Sequence, residues 1–190
     1  MSGSVTRTLV LGGARSGKSS EAERIVTRAA DAFGGRACYV ATGGTREGDA
    51  EWAERVRHHR ERRPAAWRTV ETAASADLAS VLRSADCPVL VDCFTLWLTA
   101  AMDEAGAWDD EVWRATGEKE TAERIADLDD AWRSARVPVV GVSNEVGWGI
   151  VPESAAVRRF RDEQGRLNQR LAASAEAVAL VVAGIPVRVR

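Results

Sequence analysis

Gly12-Gly13-Ala14-Arg15-Ser16-Gly17-Lys18-Ser19 follows the apolar run Thr8-Leu9-Val10-Leu11 and leads into Ser20-Glu21, and this stretch decides how the rest of the chain is read. It is G-x-x-x-x-G-K-S between a buried strand and the start of a helix, the setting in which that spacing cradles phosphates. Glycines at 12, 13 and 17 let the backbone curl so that successive N–H groups point at phosphate oxygens. Lys18 then reaches the terminal phosphates, and the Ser19 hydroxyl is a Mg²⁺ ligand. The helix N-terminus adds a dipole of the right sign for an anion. A Gly-rich turn can also do no more than join strand to helix. The Lys-Ser pair and the strand before it favour a nucleoside triphosphate site made by Gly12, Gly13, Ala14, Arg15, Ser16, Gly17, Lys18 and Ser19.

Outward from the loop, apolar β-branched runs alternate with helical stretches, the pattern of an α/β fold with a mostly parallel sheet flanked by helices. Strands are expected at 8–11, 37–41, 67–70, 89–92, 137–142, 178–182 and 186–190. Their near-continuous hydrophobicity suits strands buried on both faces. Only Ala183-Gly184-Ile185 separates the last two, too short for a crossover helix, so they are expected to form an antiparallel edge hairpin. Helices are expected at 18–33, 50–62, 76–84, 111–136 and 155–175. The chain shows no repeat and no linker-like tract, and residues 1–190 are read as a single nucleotide-binding domain.

A net charge of −2 provides no broad basic field, which argues against nucleic acid and an acidic membrane as partners. Cys38, Cys87 and Cys93 have no C-x-x-C spacing and apolar neighbours, as buried thiols in a reducing compartment do. Residues 1–7 hold no apolar h-region, and no apolar run reaches the length of a membrane span. A soluble, cytoplasmic protein is expected.

A phosphate-binding loop works with a carboxylate near Mg²⁺, and Pro88-Val89-Leu90-Val91-Asp92 places one at the end of a buried strand. Asp92 is therefore the second metal candidate beside Ser19, although it also suits a helix cap. Glu71 is another acid at a strand's carboxyl end, the edge where open α/β sheets bind ligands. The Asn-Lys-x-Asp element of regulatory GTPases is absent, since the comparable place reads Ser143-Asn144-Glu145-Val146.

The two histidines are adjacent, in Glu54-Arg55-Val56-Arg57-His58-His59-Arg60-Glu61-Arg62-Arg63. Such a charge run is commonly a solvated helix face. A nucleic-acid contact would need a wider basic surface. A third reading is chemical: neutral imidazole attacks phosphorus, and neighbouring arginines stabilise phosphate charge and disfavour the imidazolium. At about 100° per residue, Trp52, Val56, His59 and Arg63 share one stripe while His58 points away. His59 is the better nucleophile candidate and His58 the alternative.

The combination resembles the bifunctional adenosylcobinamide kinase/adenosylcobinamide-phosphate guanylyltransferase family of cobalamin biosynthesis. The resemblance rests on the Gly12–Ser19 loop, Tyr39-Val40-Ala41-Thr42, the His59-Arg60-x-x-Arg63 run and Trp67-Arg68-Thr69-Val70-Glu71. It continues through Asn144-Glu145-Val146-Gly147-Trp148-Gly149-Ile150-Val151-Pro152 and Arg166-Leu167-Asn168-Gln169-Arg170. It implies a RecA-like P-loop NTPase core, a homotrimer, and phosphorylation of adenosylcobinamide by ATP or GTP with Mg²⁺. It also implies that a histidine at the position of His59 takes GMP from GTP and passes it to adenosylcobinamide phosphate, giving adenosyl-GDP-cobinamide. Nucleotide contacts then map to residues 12–19, Ala41, Thr42, Gly43, Arg60, Glu61, Arg62, Arg63, Glu71 and Asp92. The loop 43–52 departs from the family pattern, with Trp52 where a smaller apolar residue is usual. Two rivals stand beside this reading: a plain small-molecule P-loop kinase, and a non-enzymatic P-loop assembly module.

Overall fold

The computed structural model describes residues 6–44, 54, 57, 63–72 and 74–190. Seven strands form one sheet: β1 (Arg7–Gly12), β2 (Ala37–Ala41), β3 (Trp67–Glu71), β4 (Val89–Asp92), β5 (Val139–Asn144), β6 (Ala177–Val182) and β7 (Ile185–Arg188). Their order is β3-β2-β4-β5-β1-β6-β7, and every pairing is parallel except β6 with β7. The helices are α1 (Lys18–Ala30), α2 (Ser75–Ser84), α3 (Phe94–Glu104), α4 (Glu118–Ser134) and α5 (Ala155–Ser174). This is the mostly parallel α/β architecture expected of a P-loop protein.

Alternation along the strands divides the core in two. Leu9, Val91 and Val139 pack with α2–α5 on one face, and Val10, Leu90, Val140 and Val142 pack with Ala22, Val26 and Ala30 of α1 on the other. Fully burying each of these valines and leucines contributes roughly 1.5–3 kcal/mol, so both faces hold the strands in register. Gly141 lets α3 come close, because a Cβ there would lie 2.2 Å from the Phe94 ring. That approach sets the start of α3 beside the carboxyl end of β5.

Several boundaries differ from the sequence expectation for identifiable reasons. The run 94–104 forms a helix to which the sequence reading gave no bounds, since the face opposite its buried residues carries Leu96, Thr99 and Ala100 rather than charges, which weakens the amphipathic period. The helix expected over 111–136 opens instead as one turn, Asp110–Val112, whose N–H groups at Glu111 and Val112 bond the Asp109 carboxylate. A wide π turn at Trp113–Gly117 precedes α4 proper. The helix expected over 18–33 stops at Ala30, followed by a tighter turn and left-handed Gly34 and Gly35. β5 begins two residues later than expected, just past Pro138. The expected hairpin forms, with Ala183 and Gly184 both at positive φ (50° and 80°), a pair of values matching a type I′ turn. Pro186 is tolerated because β7 is an edge strand. Of the helix expected over 50–62, Glu54 and Arg57 are helical and the rest lies outside the described residues. Among the described residues, no helix is long and apolar enough to cross a membrane.

Candidate nucleotide site

The loop after β1 is built largely from backbone. Gly17 sits at φ 95°, which a side chain rarely tolerates, and a Cβ there would lie 3.1 Å from the Gly184 Cα. A Cβ on Gly12 would fall 2.8 Å from the Val181 carbonyl oxygen. Two hydrogen bonds tie the loop to its surroundings: the Gly184 N–H donates to the Ser16 carbonyl (2.8 Å), and the Glu145 N–H donates to the Gly12 carbonyl (3.2 Å). The C-terminal hairpin therefore buttresses the loop from one side and the β5 terminus from the other. Sequence reasoning found the hairpin but not this role, which depends on β6 lying beside β1.

Helix α1 opens on Gly17 without a side-chain cap, leaving first-turn N–H groups available to an anion. Lys18 is buried within the loop's curve and donates to the Gly13 carbonyl at 3.0 Å. Its ammonium is thus already placed where a phosphate held by the loop would lie. The Ser16 hydroxyl is buried and takes no hydrogen bond within the described residues.

The other candidates gather on the same edge of the sheet but not at the same point. The strand carrying Asp92 is not adjacent to the loop strand, because β5 lies between β1 and β4. At ~4.8 Å per strand, Asp92 stands about 10 Å across the sheet from β1, Ala41 about 14 Å and Glu71 about 19 Å. Asp92 is thus within range of a metal shared with the loop. Glu71 is too far across to share that metal, and its place on the edge strand suits contact with another part of a nucleotide.

Around Asp92 the construction relies on side chains. The Tyr39 hydroxyl donates to the Asp92 carboxylate at 2.9 Å. Burial first, and then the Asp92 charge, push the Tyr39 phenol above its ordinary range. The stability linked to that proton is complete below the unfolded tyrosine pKa near 10 and is lost as pH rises beyond it toward the folded value. Arg63 lies over the Tyr39 ring, its guanidinium carbon 3.2 Å from the centroid, and donates to Thr69 Oγ1 at 3.1 Å. Thr42 locks the next turn: its hydroxyl donates to the Cys93 carbonyl (2.6 Å) and accepts from the Cys93 N–H (2.9 Å). The Asp92–Cys93 peptide is cis. Burial pushes the Cys93 thiol up to about 11, so it remains a protonated packing group. The three cysteines are free and buried, as expected.

Ser19 and Asp92 supply hard oxygen donors. Among the described residues no cluster of three or more metal-binding side chains occurs. A hydroxyl and a carboxylate are donors of the kind Mg²⁺ takes, since it binds one or two protein oxygens and keeps the rest of its shell for water and substrate phosphates. His58, His59, Arg60, Glu61 and Arg62 lie outside the described residues.

A family model described as cobinamide kinase / cobinamide phosphate guanyltransferase matches residues 8–189. The bifunctional adenosylcobalamin biosynthesis protein CobU of Salmonella typhimurium is 42% identical, over 96% of this chain and 98% of its own. CobU of Escherichia coli is also 42% identical, with the same coverage. CobP of Pseudomonas aeruginosa, with the same description, is 41% identical over 95% of each chain. Among solved structures, a KaiC-like protein from Pyrococcus horikoshii aligns over 92% of this chain and 70% of its own, at 14% identity and a TM-score of 0.46.

Proposed function

The chain belongs to the cobinamide kinase / cobinamide phosphate guanyltransferase family, and from that premise we propose how its residues divide the two reactions. The protein is a bifunctional enzyme of cobalamin biosynthesis, with cobinamide and nucleoside triphosphates as its substrates. The proposal concerns the rest: one domain spanning 1–190, a phosphate loop at 12–19 for phosphoryl transfer, and His59 as the carrier of GMP.

In the kinase reaction, the loop N–H groups and Lys18 hold the triphosphate, and ATP or GTP gives its γ-phosphoryl group to a hydroxyl of adenosylcobinamide. Ser19 and Asp92 would hold Mg²⁺, whose charge offsets that of the phosphates. In the second reaction, a neutral His59 nitrogen bonds to the α-phosphorus of GTP. The bond from that phosphorus to the α–β bridging oxygen breaks, and pyrophosphate leaves with the electron pair. An oxygen of adenosylcobinamide phosphate then takes the GMP group, the imidazole departs, and adenosyl-GDP-cobinamide forms. Arg60, Arg62 and Arg63 neutralise phosphate charge, while Ala41, Thr42, Gly43, Glu61 and Glu71 contact the nucleotide.

The observation that carries this reading is the position of the residues flanking His59. On one side the chain leaves Thr42, which is bonded to Cys93; on the other it returns at Arg63, stacked on the tyrosine that bonds Asp92. Four residues of extended chain span at most about 14 Å, so His59 stays within that distance of Arg63 in any conformation.

The apolar side chains of Trp148, Ile150 and Val151, and of Val182, Ile185, Val187 and Val189 along the C-terminal hairpin, are exposed. Apolar exposure on this scale supports the homotrimer that the resemblance implies. We place the enzyme in the cytoplasm, acting on small molecules rather than nucleic acid. The test is to incubate the protein with GTP labelled at the α-phosphate. Acid-labile, base-stable label should appear on the protein and discharge when adenosylcobinamide phosphate is added. Label that never attaches, or attaches and does not discharge, contradicts the proposal.

A further inference from the structure

Strand order inserts β5 between the loop strand and the Asp92 strand, and Asn144 is its last residue. Register sets Asn144 level with Gly12. Ser143 turns toward α5, where its hydroxyl donates to Asn168 Oδ1 at 2.6 Å, while Val140 and Val142 belong to the α1 cluster. Alternation then puts the Asn144 side chain on the α1 face. Lys18 opens α1 on that face. Asp92 is there too, two residues beyond Leu90 and bonded to Tyr39.

The Asn144 backbone is held on both sides. Its N–H donates to Thr95 Oγ1 (2.9 Å), and its carbonyl accepts from Asn168 Nδ2 (3.1 Å). Asn168 is itself fixed by Ser143 and by Gln164 Nε2 (2.9 Å), and it donates to Glu145 Oε1 (3.2 Å). The next residue, Glu145, bonds the loop at Gly12. Yet the half-buried Asn144 side-chain amide takes no hydrogen bond from any described residue. Its backbone is thus fixed while its amide stays open to a ligand.

We propose that Asn144 is a catalytic residue of the phosphorylation reaction, orienting the acceptor hydroxyl and the γ-phosphoryl group for in-line transfer. The inference rests on the reading that residues 12–19 hold the triphosphate. The amide oxygen accepts from the acceptor O–H, and the amide N–H donates to a γ-phosphoryl oxygen. A side-chain amide that orients the nucleophile is an established device in phosphoryl transfer, where positioning supplies much of the rate. The bond from the hydroxyl oxygen to γ-phosphorus forms as the β–γ bridging P–O bond breaks. The nucleoside diphosphate leaves with the electron pair, and the hydroxyl proton passes to a phosphoryl oxygen and then to water. Asn144 makes and breaks no covalent bond.

The experiment measures adenosylcobinamide phosphorylation by ATP and protein labelling by α-labelled GTP, side by side, in the full-length parent, Asn144→Ala and Asn144→Asp. The isosteric Asp variant guards against a packing defect, since it keeps the shape but removes the N–H donor. The phosphorylation kcat should fall about 10²-fold in Asn144→Ala, as when a positioned donor is removed elsewhere. KM for ATP should stay within about threefold, and labelling should fall far less than phosphorylation. In Asn144→Asp, phosphorylation should also fall far more than labelling. Phosphorylation within about threefold of the parent in either variant overturns the proposal. So does an equal loss in both reactions with a lowered melting temperature, which marks a structural role. A parent that labels but does not phosphorylate overturns the reading of the loop itself, a result distinct from failure of Asn144 alone.

Discussion

Two regions of the sheet's carboxyl edge are made in different ways. At β1 the phosphate loop depends on backbone: two glycines without room for a Cβ and carbonyls held by N–H groups from Gly184 and Glu145. At β2 and β4 the site depends on side chains from distant parts of the chain, with Thr42 clasping Cys93 and Tyr39 bonding Asp92 beneath the Arg63 guanidinium. The first kind of site offers N–H groups and one ammonium to any phosphate. The second carries shape and charge in particular residues, and suits the step that must choose a base, a phosphorus and an acceptor.

Removing the ammonium from the backbone end should have the largest effect. Lys18→Met is expected to lower kcat/KM for phosphorylation by about 10²–10³-fold, on the scale of removing one positioned donor from an active site. Its melting temperature should stay close to that of the parent. A variant that phosphorylates normally would mean that the loop's N–H groups suffice and that the comparison overstates Lys18. A smaller effect comes from the side-chain end. Thr42→Val leaves the Cys93 N–H unpaired in a buried turn, a loss of about 1–3 kcal/mol. At about 2–4 °C per kcal/mol for a chain of this size, calorimetry should record a fall of several degrees. Guanylylation should suffer more than phosphorylation by ATP. Unchanged melting would show that the Thr42 clasp is not what holds this end together.

The same contrast explains what was legible in the sequence. The loop could be read residue by residue because its spacing along the chain is its geometry in space. Asp92 could be read as an acid ending a buried strand, but its distance from the loop could not, because the insertion of β5 is a property of strand order. The bonds from Tyr39 to Asp92 and from Thr42 to Cys93 join residues more than fifty positions apart, and nothing local announces them. Helix α3 was given no bounds because its less buried face carries Leu96, Thr99 and Ala100 in place of charges, and with it went the Thr95 bond that sets Asn144. Asn144 was noticed as a mismatch to a guanine-binding element and as the start of a segment that carries the family resemblance, with no catalytic role given to it. The available signal was a polar residue closing a run of buried valines, the same signal that singled out Asp92.

The central claim is that one sheet edge serves two phosphorus atoms, with the loop acting at γ and His59 at α. His59→Ala, assayed at once for α-label and for phosphorylation of adenosylcobinamide by ATP, tests this most directly. The account predicts that the label disappears while phosphorylation stays within about threefold of the parent. A variant that still takes up label would move the nucleophile to His58 or elsewhere, and one that loses both reactions together would contradict the division of labour.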